Sequence, residues 1–127
     1  MFALEEHAPD SLVAEYRGDA LRPIVADMRE KRYHREGRDC FLFKLPDDVV
    51  VDSTNAGTYS RFTNHCCQPA LYTKVIHDAA GNPHLGFFAR SAIRAGQELT
   101  FDYRFKEEEN SKVRCQCGAP NCKGFLC

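Results

Sequence analysis

The chain has 127 residues, 43% of them hydrophobic, with 17 basic against 18 acidic side chains and a net charge of −1. This describes one domain with a real core, too evenly charged for a general grip on nucleic-acid phosphates. No apolar run approaches the ~20 residues of a membrane span, and Met1 to Glu6 lacks the basic start and apolar run of a signal peptide, so the chain reads as soluble and intracellular.

Phe2-Ala3 reads as the end of a strand, and Leu12 to Tyr16 predicts a short strand closed by Gly18. After Pro23, the apolar residues Ile24, Val25, Met28 and Tyr33 follow helical spacing among charged ones. They predict an amphipathic helix of about three turns, stopped near Gly37. Cys40 to Leu45 and Val49 to Val51 predict two strands joined by a Pro46-Asp47-Asp48 turn. From Asp52 to Pro69 the pattern dissolves into small and polar residues. A long irregular segment is either functional or disordered, and Phe62, His65 and the cysteines argue against disorder.

Leu71 to Ile76 and Leu85 to Ala89 predict a hairpin around Gly81-Asn82-Pro83, and Ala95-Gly96 a turn before a last strand at Leu99 to Phe101. Lys106 to Lys112 is charged and free of large apolar residues, a linker to a cysteine tail. The acidic pairs and runs, Asp47-Asp48 and Glu107-Glu108-Glu109, read as solvated turn and linker, though they could also attract a basic peptide. The total is many short strands, one helix and a metal-binding tail: an α+β fold, mostly β.

There are 7 cysteines. In a reducing compartment, clustered thiols bind metal more often than they pair as disulfides. Cys115, Cys117 and Cys122 form a CxCxxxxC run beside Gly118 and Pro120, one ligand short of a tetrahedral zinc site. The fourth ligand must come from elsewhere. Cys67 and Cys66 are the candidates, with Cys127 and the histidines behind them. The working expectation is that Cys67 closes the site and folds the tail over whatever Asn64 and His65 contact. An independent metal ribbon unrelated to the core is the alternative.

Several motifs, in order along nearly the whole chain, carry a resemblance. They are Glu15-Tyr16-x-Gly18, Arg29-Glu30-Lys31-Arg32-Tyr33, Asp39-Cys40-Phe41-Leu42-Phe43, Val51-Asp52, Arg61-Phe62-x-Asn64-His65-x-Cys67-x-Pro69, Glu98-Leu99-Thr100-Phe101-Asp102-Tyr103 and the cysteine tail. Together they resemble the SET-domain histone-lysine methyltransferases with a post-SET zinc tail, most closely the trithorax-like branch with its plant and algal members. The resemblance implies a SET domain over 1–104, a linker over 105–110 and a post-SET segment over 111–127. It also implies a β-rich pseudoknot in which the C-terminal segment threads under a loop.

The cofactors implied are S-adenosylmethionine (SAM) as methyl donor and Zn2+. By the same resemblance Asn64, His65, Arg61, Phe41 and Leu126 bind the cofactor, and Cys67, Cys115, Cys117 and Cys122 hold the metal. Tyr103 is the catalytic-position tyrosine, Tyr16 lines the lysine channel, and Phe101 sits at a position that sets how many methyl groups are added. The implied substrate is the histone H3 tail at its fourth-residue lysine, in the nucleus, with accessory subunits as partners and no direct nucleic-acid or membrane contact.

Departures from the family carry expectations too. No Gly-x-Gly segment precedes Phe2-Ala3, where the family has one against the cofactor's methionine end, so the chain reads as an N-terminally truncated fragment that binds SAM poorly. Phe101 replaces a usual tyrosine, which implies di- or trimethylation. Phe41 also replaces a tyrosine and removes a hydroxyl near the channel. Cys66 and Ala70 replace serine and asparagine beside Cys67, and Ala70 offers no side-chain hydrogen bond. These departures support an alternative function, a non-catalytic degenerate SET module that binds a histone tail or partner protein.

Overall fold

The computed structural model describes residues 1–103 and 113–126. The linker expected at 105–110 and Cys127 lie outside the described residues. Strands β1 (Leu12–Tyr16) and β2 (Asp19–Leu21) precede helix α1 (Pro23–Arg35) and strands β3 (Leu42–Leu45) and β4 (Val49–Asp52). A 3-10 turn (Tyr59–Phe62) leads into β5 (Asn64–His65), followed by β6 (Leu71–His77), β7 (Pro83–Ala89) and β8 (Thr100–Phe101). The α+β, mostly β architecture is as expected, and the predicted strands at β1, β3, β4, β6, β7 and β8 all form. No helix among the described residues is long and apolar enough to cross a membrane.

Among the described residues the strands form three sheets, ordered β1-β7-β6, β2-β4-β3 and β5-β8. The chain packs as two compact units, Met1–Val13 with Phe62–Thr73 and Phe87–Cys127, and Ala14–Arg61 with Lys74–Gly86. The first unit buries Leu71, Phe87, Ala89, Ile93, Leu99 and Phe101, with Thr63 among them. Its edge is closed by short bridges, Phe2 to Glu98 and His7 to Ile93, so the expected strand end at Phe2-Ala3 pairs as a bridge rather than as a strand.

The second unit is built on β4, flanked antiparallel by β2 and β3. Its Pro46-Asp47-Asp48 turn places Asp47 and Asp48 at φ 64 and 55, left-handed values that a short polar side chain tolerates. Gly18 is required where it stands: a Cβ there would lie 2.3 Å from the Asp52 carbonyl oxygen.

Helix α1 forms over the predicted span with Pro23 in its first turn, Glu36 at the C-cap and Gly37 just beyond at φ 64. Its buried face is the predicted one only at Tyr33. Ile24 and Met28 are 69% and 67% exposed, while Ala26 and Tyr33 are buried. The reason lies in β4. Asp52 ends that strand at 1% exposure and accepts hydrogen bonds from Arg29 Nη1 (2.9 Å), Tyr33 Oη (2.8 Å) and the Thr54 backbone N–H (3.0 Å). A buried carboxylate must be paired, so the stripe Ala26, Arg29, Tyr33 turns inward. Burial alone would raise the Asp52 pKa, but these hydrogen bonds outweigh it and hold the carboxyl below its usual range.

Candidate functional site

In the first unit, β5 and β8 pair in parallel, Asn64 opposite Thr100 and His65 opposite Phe101. Parallel neighbours need a long return connection, which β6 and β7 supply. The pairing sets the two most motif-rich stretches of the sequence side by side. Beyond β8, the Tyr103 backbone N–H donates to His65 Nδ1 at 3.1 Å, and the Tyr103 hydroxyl donates to the Thr63 carbonyl at 2.8 Å. The Phe101 ring packs 4.9 Å from Phe87 and 4.8 Å from Tyr103 between centroids. Tyr103 also meets His65 edge-on at 5.3 Å.

Burial sets the electrostatics of this cluster. It pushes the Tyr103 phenol upward, so the hydroxyl stays protonated, and it pushes the His65 imidazole downward, so the ring stays neutral. Asn64 lies at the surface, its side-chain N–H2 donating to Glu98 Oε1 at 3.1 Å. Ala70, lacking a polar side chain, is held by its backbone N–H on Thr100 Oγ1 at 3.2 Å.

Beside this cluster the tail returns. A bridge between Arg114 and Phe125 closes it, and Leu126 donates its backbone N–H to the Val113 carbonyl at 3.1 Å. The sulfurs of Cys67, Cys115, Cys117 and Cys122 lie within 4.8 Å of one another. Cys67 Sγ is 3.7 Å from Cys115 Sγ and 3.8 Å from Cys122 Sγ. A tetrahedral zinc with ~2.3 Å bonds to sulfur sets its ligands ~3.8 Å apart, so the donor set and its spacing fit such an ion. Cys66 is not one of these four; its thiol meets the Gln68 backbone at 3.4 Å and also interacts with Cys117. Backbone N–H groups of Cys67 and Ala119 lower the Cys117 thiol to about 6, whereas burial pushes Cys115 up to about 12.

The remaining expected site residues belong to the second unit. The Arg61 guanidinium donates to the Ser53 and Thr54 carbonyls at 3.1 and 2.9 Å and lies over the Phe41 ring at 5.6 Å. It thereby fastens the bend after Asp52. Tyr16 is buried, its ring 5.5 Å from Phe43. Sequence reasoning did not single out Thr63 as the acceptor for Tyr103, nor Glu98 as the partner of Asn64. Glu98 opens a motif already noted; the Thr63 role is a backbone one and leaves no side-chain signal.

The SET domain family profile matches residues 1–104, and the chain belongs to that family. Among curated relatives, it is 42% identical over 129 residues to the H3 lysine-4 specific histone-lysine N-methyltransferase of Saccharomyces cerevisiae, covering 99% of this chain and 12% of that protein. It is 42% identical over 127 residues to histone-lysine N-methyltransferase SETD1A of Homo sapiens, covering 99% of this chain and 7% of that protein. It is 39% identical over 126 residues to histone-lysine N-methyltransferase trithorax of Drosophila melanogaster, covering 99% of this chain and 3% of that protein. The chain is thus a SET-domain protein homologous to H3 lysine-4 methyltransferases, with a cluster of cysteines at metal-holding distances, and it spans a small part of their length.

Proposed function

We propose that this chain carries the methyl-transferring centre of a SAM-dependent protein-lysine methyltransferase of the trithorax-like type, acting on the fourth-residue lysine of the histone H3 tail in the nucleus. The observation that carries this reading is the parallel β5–β8 pair with Tyr103 held at both its amide and its hydroxyl. The identity to lysine-4 specific relatives supports the substrate, and accessory subunits are the proposed partners.

SAM, when bound, supplies a methyl group on a sulfonium, and Asn64, His65, Arg61, Phe41 and Leu126 are the residues proposed to hold it. Transfer to an amine is an in-line displacement, so alignment is the main task of the protein. The amine must attack uncharged, although a free lysine titrates near ~10.4. The apolar stack of Phe87, Phe101 and Tyr103 disfavours an ammonium. The Tyr103 hydroxyl spends its proton on Thr63, which leaves its oxygen lone pairs to orient the incoming group or accept weak CH···O contacts. A phenol kept protonated by burial is a dipole in this step, not a general base. Tyr16 is assigned to the lysine channel on the family resemblance.

Cys67, Cys115, Cys117 and Cys122 are proposed to hold zinc, on the tetrahedral spacing of their sulfurs. The alternative, a non-catalytic histone-binding module, draws on Ala70 and Phe41. One assay separates them: mass spectrometry of an H3 tail peptide incubated with SAM and the chain. Methyl transfer that falls at least tenfold in Tyr103→Phe supports the enzyme. Peptide binding with no methyl gained supports the module.

A further inference from the structure

The His65 ring stands between the two halves of the site. Its Nδ1 accepts the Tyr103 backbone N–H at 3.1 Å and therefore bears no proton. The other group facing Nδ1, the Asp102 carboxylate, lies 3.8 Å away, beyond hydrogen-bond reach, so the amide decides the tautomer. A neutral ring then carries its proton on Nε2, and Nε2 is 3.4 Å from Cys67 Sγ. The same sulfur receives the Lys123 backbone N–H at 3.4 Å.

We propose that His65 is a positioning residue joining the four-thiol centre to the backbone of Tyr103, donating Nε2–H to the Cys67 sulfur and accepting the Tyr103 amide on Nδ1. The proposal rests on the reading of the four thiols as a metal centre. A sulfur that holds a metal is a thiolate, and an N–H donated to an anion is roughly twice as strong as one donated to a neutral acceptor. Filling the centre therefore fixes the plane of the His65 ring. The fixed ring then holds the Tyr103 amide, and with it the tyrosine whose hydroxyl is aimed at Thr63. In the other direction, the ring stabilises the ligand set, as outer hydrogen bonds to metal ligands generally do by 10–100-fold in affinity.

Two variants each preserve one end of this link. Asn places an acceptor near the Nδ1 position, and Gln extends a donor toward the Nε2 position. Zinc affinity is read by chelator competition, and the Tyr103 amide by hydrogen exchange. His65→Asn should bind zinc about tenfold or more weakly with the Tyr103 amide still protected. His65→Gln should hold zinc near wild-type affinity and lose that protection. In the wild-type chain, which needs no variant to fold, long-range 1H–15N spectra of the zinc-loaded form should place the proton on Nε2. Cadmium-113 substitution should show a coupling from the metal to that proton.

Wild-type zinc affinity in both variants, loss of both properties by both variants, or a proton on Nδ1 overturns the proposal. A wild-type chain that takes up no zinc overturns the metal reading itself, and the proposal with it. The zinc stoichiometry tells these failures apart.

Discussion

Asp52→Ala should be the most damaging single change in the second unit. Asp52 is 1% exposed, and its removal strands two buried donors, the Tyr33 hydroxyl at 3% exposure and the Thr54 backbone N–H. An orphaned buried donor costs about 1–3 kcal/mol, so the pair amounts to about 2–6 kcal/mol. The Arg29 guanidinium, about a third exposed, keeps Asp19 at 2.9 Å, so its loss of Asp52 adds little to this. Against a typical domain stability of about 5–15 kcal/mol, that is a third or more of the total. Urea denaturation of wild type, Asp52→Asn and Asp52→Ala measures it, with Asn intermediate because it keeps an acceptor and loses the charge. The pH dependence follows from the direction of the shift. A carboxyl held below its unfolded value of ~3.9 contributes fully above that value, and the contribution is lost as pH falls through the folded pKa. The wild type should therefore lose stability on acidification below about pH 4 by an amount the alanine variant does not. A loss under about 1 kcal/mol for Asp52→Ala at neutral pH would refute the argument.

Phe101→Tyr adds a hydroxyl to a ring that packs against Phe87 and Tyr103; product analysis should show arrest at one methyl where wild type proceeds to two or three. Cys67→Ser should weaken zinc binding more than about 100-fold, beyond the range seen for outer-shell changes, and expose the 113–126 amides to exchange; one zinc per chain at full affinity would point to Cys66 instead. His84 lies between Asp78 (3.0 Å) and Glu15 (2.6 Å), and both carboxylates raise its pKa, Asp78 the more. A histidine raised above ~6.5 stabilises fully below that value and loses the contribution as pH rises through its folded pKa. Thermal melts from pH 6 to 9 should therefore show a decline that His84→Gln lacks; identical profiles would remove the ion pairs from the account.

The strands with clear alternation or apolar runs were legible in the sequence, and so was the turn at Asp47-Asp48. The helix was legible in its length and ends, and in its face only at Tyr33. Period alone favours Ile24 and Met28, and only the fold brings Asp52 beneath Arg29 and Tyr33. Strand β2 escaped because three residues opening on an aspartate carry no pattern. The β5–β8 pair is two residues long on each side, too short for any periodicity, and only the motifs around it marked the place. Three of the four clustered thiols follow from spacing. Cys67 rather than Cys66 rested on the resemblance, and Cys67 is the one grouped with the three tail thiols. Of the resemblance's finer assignments, those for Tyr16, Arg61 and Phe41 fall on residues of the second unit.

The contacts that assemble the site span long loops of chain. Cys67 meets Cys115 across 48 positions and Cys122 across 55, and Tyr103 meets His65 across 38. Closing loops of this length costs entropy before any contact repays it, so contacts of this kind form late in folding. On a ribosome, Asn64 and His65 would emerge long before the residues that complete their surroundings. Until the tail docks, Cys67 lacks Cys115, Cys122 and the Lys123 amide, and a chain starved of zinc would wait in that half-assembled state with its thiols open to oxidation.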